Sequence, residues 1–446
     1  MKGKKILSLI LSASLLCGCG AAPAGGGEAT ETNAAEPTES SAAEPPAQTD
    51  ETPAADQKEE AEPPETAEID YDSLSEEEYR ALLVERSLLT AGNTARTENV
   101  LRKAKAGEEI TVAYIGGSIT EGLTAGADKC WARLSYEWLC ETLPDAKINY
   151  VNAGMSGTPS TLGVIRAERD VIAPYGNPDL VFIEFAVNDG QDGLSKNAYE
   201  SLVRRMLSLD GDTAVVLLFT VLKNGYSCEK AHMKPIGEHY ELPMISVGTA
   251  LNDEFSSGRT PWEKYSDDES HPNEWGHVLV KDFVAHYFET VLDGMDETGE
   301  AKPIGDVASV EPIYGSDYTD VHLLDRTNLT PSSLGEYDAE RATIAQFPNG
   351  WSRKGGENVG FEFDVTCKDL FLVYQCNNSK KFATAEIFVD GEYAATVNSA
   401  SSDGWNNPVA QLVYSGDGVN PHTVTVKMAE GHEDMYFGIL GFGYTD

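Results

Sequence analysis

The chain has 446 residues, with 33 Lys and Arg against 73 Asp and Glu, for a net charge of -40. With 41% hydrophobic residues it is long enough for two or three domains with ample cores. No basic stripe is present to displace counterions from phosphates, which excludes a nucleic-acid partner and suits a soluble protein acting on something neutral or cationic.

Residues 1–19 read as an export signal rather than as part of the fold. Lys2, Lys4 and Lys5 precede an apolar run over residues 6–17 that is too short to span a bilayer. The run closes on Leu16-Cys17-Gly18-Cys19, which resembles the bacterial lipobox. That resemblance implies that Cys19 becomes the acylated N-terminus, so the expected location is extracellular, with the membrane touched only through the lipid. An ordinary secretory signal is the alternative. Residues 20–68 are almost entirely Ala, Glu, Pro, Thr, Gly and Ser, with Lys58 the only basic residue. Such a segment lacks the apolar groups needed to offset ordering entropy and is expected to be a disordered acidic linker spanning roughly 40 Å.

Order is expected from residue 69. Ser75-Glu76-Glu77-Glu78 is a capping-box pattern ahead of Tyr79, Leu82 and Leu83 at helical spacing, which predicts a helical N-terminal arm. From Ile110 onward short apolar strands alternate with helices. Strands are predicted at 112–115, 148–151, 180–185, 214–220 and 243–247, and helices at 131–143, 162–172 and 199–209. That alternation predicts an α/β domain over 69–303, a parallel sheet covered on both faces with its site at the carboxyl ends of the strands.

Beyond Pro303 the helical period stops and short alternating strands take over. Phe361, Phe363 and Val365 point one way while Glu362, Asp364 and Thr366 point the other. Similar runs lie at 370–374, 385–389, 393–397, 409–414, 423–428 and 436–442, with Asp390-Gly391 as a hairpin turn. Residues 304–446 are therefore expected to form a β-sandwich of jelly-roll kind.

Setting aside Cys17 and Cys19 leaves Cys130, Cys140, Cys228, Cys367 and Cys376, an odd set that cannot close into disulfides throughout. Cys130 and Cys140 sit ten apart on one predicted helix, about 15 Å, beyond disulfide reach. Cys367 and Cys376 are the pair that can meet across neighbouring strands. No spacing suggests zinc and none suggests a nucleotide: neither G-x-G-x-x-G nor the phosphate loop is present, so no cofactor or metal is expected.

Four short islands carry the chemistry. Ser118 lies in Gly116-Gly117-Ser118-Ile119-Thr120, a glycine-rich turn directly after the first predicted parallel strand. Gly154 and Asn188 follow the second and third, in Asn152-Ala153-Gly154 and Val187-Asn188-Asp189. Asp268 and His271 follow the last, in Asp268-Glu269-Ser270-His271, where a carboxylate three residues before an imidazole can orient it. Asp267 and Glu269 are rivals for that orienting role, while His239, His277 and His286 fall on predicted helices. A serine hydrolase needs a nucleophile, a base, a carboxylate that orients the base, and donors for the oxyanion. Singly each island is an ordinary turn; in this order they supply the full set.

The order Ser, Gly, Asn, His resembles the SGNH hydrolases, the GDSL-like lipase and esterase superfamily, over about residues 111–292. The resemblance implies a flavodoxin-like three-layer α/β/α fold. It also implies Ser118 as nucleophile and first oxyanion donor, Gly154 and Asn188 as the other donors, and Asp268 and His271 as the rest of the triad. Two departures stand out. Gly117 replaces the usual Asp before the serine, and Ala186 replaces the usual Gly two residues before Asn188, where its methyl is expected to narrow the acyl pocket.

Export, a tether and a C-terminal sandwich are similar to the arrangement of two-domain carbohydrate O-acetylesterases, so the expected substrate is an acetylated polysaccharide or oligosaccharide. Trp351 and Trp405 are predicted between strands, where an indole can stack on a sugar ring; a buried sandwich tryptophan is the competing reading. A lipid-directed esterase of the same superfamily and a non-catalytic polysaccharide-binding lipoprotein are the alternatives. The second would be expected to lack a triad member, and none is missing.

Overall fold

Short apolar runs separated by amphipathic stretches can be buried on both faces only when helices cover both sides of the sheet they form. The computed structural model describes residues 69–296, 305–338 and 344–446. The expected signal, Cys19 and the expected linker lie outside the described residues. Residues 69–74 hold one short 3-10 turn, Tyr71–Ser73, and residues 75–446 form one compact unit.

In chain order the first elements of that unit are α1 (Glu76–Ser87), β1 (Leu88–Thr90), α2 (Ala95–Lys105), β2 (Glu109–Gly116), α3 (Ser118–Glu121), α4 (Trp131–Thr142), β3 (Lys147–Gly154) and α5 (Ser160–Ala167). They continue with β4 (Leu180–Glu184), α6 (Gly193–Leu207), β5 (Ala214–Phe219), α7 (Lys234–His239), β6 (Met244–Ser246), α8 (Val247–Ser257), α9 (Trp262–Tyr265) and α10 (Glu274–Gly294). Strands β3-β2-β4-β5-β6 run parallel in that order, and β1 adds antiparallel to β6. This is the flavodoxin-like order, which reverses direction between β2 and β4 and opens a crevice at their carboxyl ends.

Period-two alternation assigns each strand to two cores. Val112 and Tyr114 of β2, with Phe182 and Val216, pack with Leu101, Trp131 and Phe283. Ala113 and Ile115, with Ile183 and Leu217, pack with Ile165, Leu202 and Met206 on the other side. The predicted arm is α1, whose Ser75 and Glu78 make the reciprocal capping box. The arm is pinned by the buried Glu254 carboxylate, which accepts from Tyr79 Oη at 2.8 Å and Arg86 at 2.9 Å.

The C-terminal strands are β7 (His322–Leu324), β8 (Tyr337–Asp338), β9 (Trp351–Lys354), β10 (Phe361–Asn377), β11 (Thr384–Val389), β12 (Glu392–Asn398), β13 (Trp405–Met428) and β14 (Tyr436–Tyr444). They form one continuous antiparallel sheet, β12-β11-β13-β10-β14-β9-β8, with β7 also on β14. The runs read as four separate strands at 361–365, 370–374, 409–414 and 423–428 are the halves of β10 and β13. Their ladder shifts register between Cys367 and Asp369, where the partner strand jumps from Asn420 to Ser415. Such irregularities let two strands pass from one layer to the next, so a single sheet folds over its own core. Phe363 of one layer meets Phe442 of the other with ring centroids 4.4 Å apart.

Two expectations are corrected here. Trp351 does not lie between strands: it pairs with Ile439 in β9 and is 1% exposed, packed edge-on against Phe361. The preceding Asn-Gly reads locally as a loop, but a strand end inserts the indole into the core. Cys367 and Cys376 sit on the same strand rather than on neighbours, about 30 Å apart along it, and both thiols are free and buried.

The second half of β10 is buried on both faces because it serves two cores. Leu370, Leu372 and Tyr374 fill the sandwich. Phe371 and Val373, with Leu440, join the α/β-domain cluster that holds Ile165 and Leu202. The connecting segment is fixed by one polar stripe of α6. Glu200 accepts the N–H groups of Ile313, Tyr314 and Gly315 at 2.8, 2.6 and 3.1 Å, and Arg205 donates to the Val321 carbonyl at 2.7 Å.

Phe371→Ala is therefore expected to cost about 3–5 kcal/mol and to shift urea unfolding of both domains together, in one transition rather than two. A second expectation concerns His277, buried on α10. Its Nδ1 accepts the Trp131 N–H at 3.2 Å, so it caps α4, and burial followed by the nearby His271 pushes its pKa down to about 4. A depressed imidazole pKa means the unfolded chain takes the proton first. The contribution is full above about pH 6.5 and is lost as pH falls toward 4, up to about 3 kcal/mol. In His277→Asn, which keeps an acceptor for the cap, stability measured against pH is expected to lose that slope.

Candidate functional site

The carboxyl ends of β2, β3 and β4 deliver three turns to one place. Ser118 opens α3, in the first turn, where a backbone N–H has no intrahelical partner. Its Oγ lies 2.9 Å from His271 Nε2, and His271 Nδ1 lies 2.8 Å from Asp268 Oδ2. With the proton on Nδ1 directed at the carboxylate, Nε2 is free to accept from Ser118.

The loop that carries the base is held from several sides. Asp268 Oδ1 accepts the N–H groups of Ser270 and His271, each at 2.7 Å, and Trp262 Nε1 donates to the Asp268 carbonyl at 2.5 Å. Partial burial pushes the Asp268 carboxyl up, but these bonds and the imidazole outweigh it and hold the group below its ordinary value. Neither rival reaches the imidazole. Asp267 accepts from Asn273 Nδ2, and Glu269 contributes its carbonyl to the Lys223 N–H.

Asn188 follows β4 with its carboxamide against Gly117. A Cβ on Gly117 would stand 2.1 Å from Asn188 Oδ1, so the glycine that replaces the usual Asp makes room for this amide. The Asn188 carboxamide oxygen is not committed elsewhere: Oδ1 is buried without a hydrogen-bond partner. Next to it the buried Asp189 carboxylate accepts the Ser160 N–H at 2.6 Å and the Ser160 hydroxyl at 2.7 Å, tying this turn to the start of α5. Ala186 is fully buried in the core and its carbonyl accepts the Cys228 N–H at 2.7 Å. Its methyl therefore does not narrow an acyl pocket, contrary to expectation.

Gly154 also departs from the sequence expectation. Its N–H is already committed to Asn152 Oδ1 at 2.8 Å, and it lies so close to α3 that a Cβ would meet the Glu121 N at 2.1 Å. Gly154 thus serves close packing. Three residues on, Gly157 has φ of +67° and an N–H without a partner among the described residues. The turn that presents it is fastened by the Met155 N–H to the Gly116 carbonyl at 3.0 Å and by the Ser156 N–H to Glu121 Oε2 at 2.7 Å. The geometry makes Gly157 the better second donor. The signal was a second glycine three residues beyond that island, in Gly154-Met155-Ser156-Gly157.

Over Gly157 lies Trp405 of the sandwich. A Cβ on Gly157 would come within 2.9 Å of the Trp405 Cζ2, yet the indole is 51% exposed. Contrary to expectation Trp405 is not between strands: it is the first residue of β13 and pairs with Asn377 of β10. The Trp405 N–H donates to Asn407 Oδ1 at 3.0 Å, and Asn406 Oδ1 accepts from Gln375 at 3.0 Å and Asn377 at 2.6 Å.

Residues 114–279 match the model of the GDSL-like Lipase/Acylhydrolase family. Two crystal structures of a two-domain esterase (CEX) active on acetylated mannans, one of them co-crystallised with mannopentaose, are similar to this chain with a TM-score of 0.71 and 27% identity. The match covers 81% of this chain and 98–99% of theirs. An arylesterase of Vibrio mimicus is 25% identical over 189 residues, 41% of this chain and 88% of that protein. The matched segment holds Ser118, Asn188 and the Asp268–His271 loop, so over residues 114–279 the chain is similar to the GDSL-like lipases and acylhydrolases, and it is a carboxylic ester hydrolase.

Proposed function

We propose that this protein is an extracellular serine esterase that removes O-acetyl groups from a polysaccharide, held at the membrane through a lipid on Cys19. The observation that carries the reading is the hydrogen-bonded series from Ser118 through His271 to Asp268. Ser118 Oγ attacks the acetyl carbonyl while His271 Nε2 takes its proton and Asp268 steadies the imidazolium. The N–H groups of Ser118 and Gly157 and the amide of Asn188 receive the oxyanion. The imidazolium then protonates the departing sugar oxygen, and a water activated by the same ring releases acetate. Similarity along nearly the whole length of an esterase active on acetylated mannans supports a carbohydrate ester over a lipid, and acetylated mannan is the first polymer to try.

Ser118→Ala is expected to lose at least about a thousandfold in p-nitrophenyl acetate hydrolysis while remaining folded, and Asn188→Ala about a hundred- to a thousandfold in kcat with KM little changed. Unchanged turnover by folded Ser118→Ala rejects the assignment. Trp405→Ala is expected to raise KM on acetylated polysaccharide by about tenfold, corresponding to a lost stacking platform, while sparing p-nitrophenyl acetate. Equal loss on both substrates with a lower Tm would reduce the tryptophan to a structural role.

A further inference from the structure

The nucleophile turn and the second oxyanion turn leave neighbouring parallel strands, and one buried cation bridges them from below. Arg166 of α5 is fully buried. Its Nη2 donates to the Gly116 carbonyl at 3.0 Å and its Nη1 to the Ala153 carbonyl at 2.7 Å. Gly116 is two residues before Ser118, and Ala153 is one before the end of β3, from which the Gly157 turn departs. A planar guanidinium that donates to both carbonyls fixes the spacing between the strand ends in a way that a single-point ammonium cannot.

The cation is held in turn from the sandwich side. Arg166 Nη1 also donates to Asp170 Oδ2 at 3.1 Å, in the wide helical turn Glu168–Ile172 that follows α5. The same carboxylate takes Arg169 Nε at 2.6 Å and Nη2 at 3.0 Å. The Arg169 guanidinium then stacks on the ring of Phe347 from the C-terminal region, 4.3 Å from its centroid. A continuous path runs from Phe347 through Arg169, Asp170 and Arg166 to the two strand ends.

We infer that Arg166 is a positioning residue for the ester hydrolysis proposed above, setting the oxyanion turn against the nucleophile turn, and that the C-terminal domain holds it in place through Arg169 and Asp170. The domain then contributes to kcat on any ester, including one too small to touch Trp405. The inference rests on the proposed esterase reading.

The test uses the full chain carrying Arg166→Lys, Asp170→Asn or Arg169→Ala, with p-nitrophenyl acetate turnover and the rate of Ser118 labelling by a fluorophosphonate as the two readouts. Arg166→Lys is expected to lower kcat by about tenfold to a hundredfold with KM within about twofold, and labelling by a similar factor. Asp170→Asn and Arg169→Ala are expected to lose about two- to tenfold in the same two quantities. If Arg166→Lys does not fold, the two peripheral variants carry the same comparison. Folded variants with unchanged kcat and labelling, or with the loss confined to KM, overturn the inference. A wild-type protein that neither labels nor hydrolyses any ester overturns the esterase reading instead, and the inference with it. Wild-type labelling without release of acetate from polysaccharide rejects only the proposed substrate.

Discussion

A buried carboxylate at the end of a central strand keeps the catalytic edge of the sheet in register. Glu184 closes β4 with no exposed surface, accepting the Thr120 hydroxyl at 2.9 Å on one side and the Thr220 hydroxyl at 2.6 Å on the other. The Gly117 N–H is a further donor, and although burial raises the carboxyl's pKa, these three groups work against that rise. A buried carboxylate left without donors costs several kcal/mol, so its surroundings are constrained strongly. The constraint explains two residues of the serine island at once. Thr120 is needed for its hydroxyl, and Gly116 must lack a side chain because a Cβ there would stand 2.3 Å from Thr120 Oγ1 and 2.5 Å from the Glu184 carbonyl.

The same economy of buried polar groups joins the domains. Asn197, Glu200, Ser201, Arg204 and Arg205 recur at helical spacing on α6, and each bonds a different point of the segment between the catalytic domain and the sandwich. Backbone groups that would be stranded in a buried connection are thereby satisfied. Around this seam the apolar cluster is shared, with Tyr318 edge-on to Phe371 at 5.0 Å. Linked domains with small polar interfaces are free to move, whereas a seam with a common core and a bonded connector holds them as one body.

Strand positions in the catalytic domain were legible because each short apolar run is buried on both faces and nothing else explains such runs. The four islands were legible as chemistry only in combination, since each is an ordinary turn alone. Illegible features depend on partners remote in sequence. Alternation is the same within one long bent strand as in two short ones, so the halves of β10 and β13 read as separate. The continuous apolar stretch from Leu370 to Tyr374 was the trace of a second buried face, but only the docked catalytic domain gives that face a meaning. Trp351 and Trp405 look alike in composition of their surroundings. Both are strand residues, paired with Ile439 and Asn377 respectively, and they separate on which way the ring faces: Trp351 turns into the sandwich core, whereas Trp405, beside Asn406 with its φ of +77°, stands over Gly157. Gly154 and Gly157 separate on where an Asn152 side chain two residues away places its oxygen, which spacing does not encode.

Gly157 is where these constraints converge. Its left-handed backbone favours glycine, and its missing side chain leaves the space that the Trp405 indole occupies. Any larger residue would strain the turn and push the indole away together, so the shape of the turn and the position of the platform are set by one residue. A polymer resting on that indole would lie directly beside the N–H proposed to receive the oxyanion. Binding energy gained on the sugar chain, away from the reacting ester, is then available to align the acetyl group with Ser118, which is how remote contacts raise turnover rather than affinity alone. The rigid seam between the domains is what makes such coupling effective, because a hinged platform would dissipate the same contact in motion.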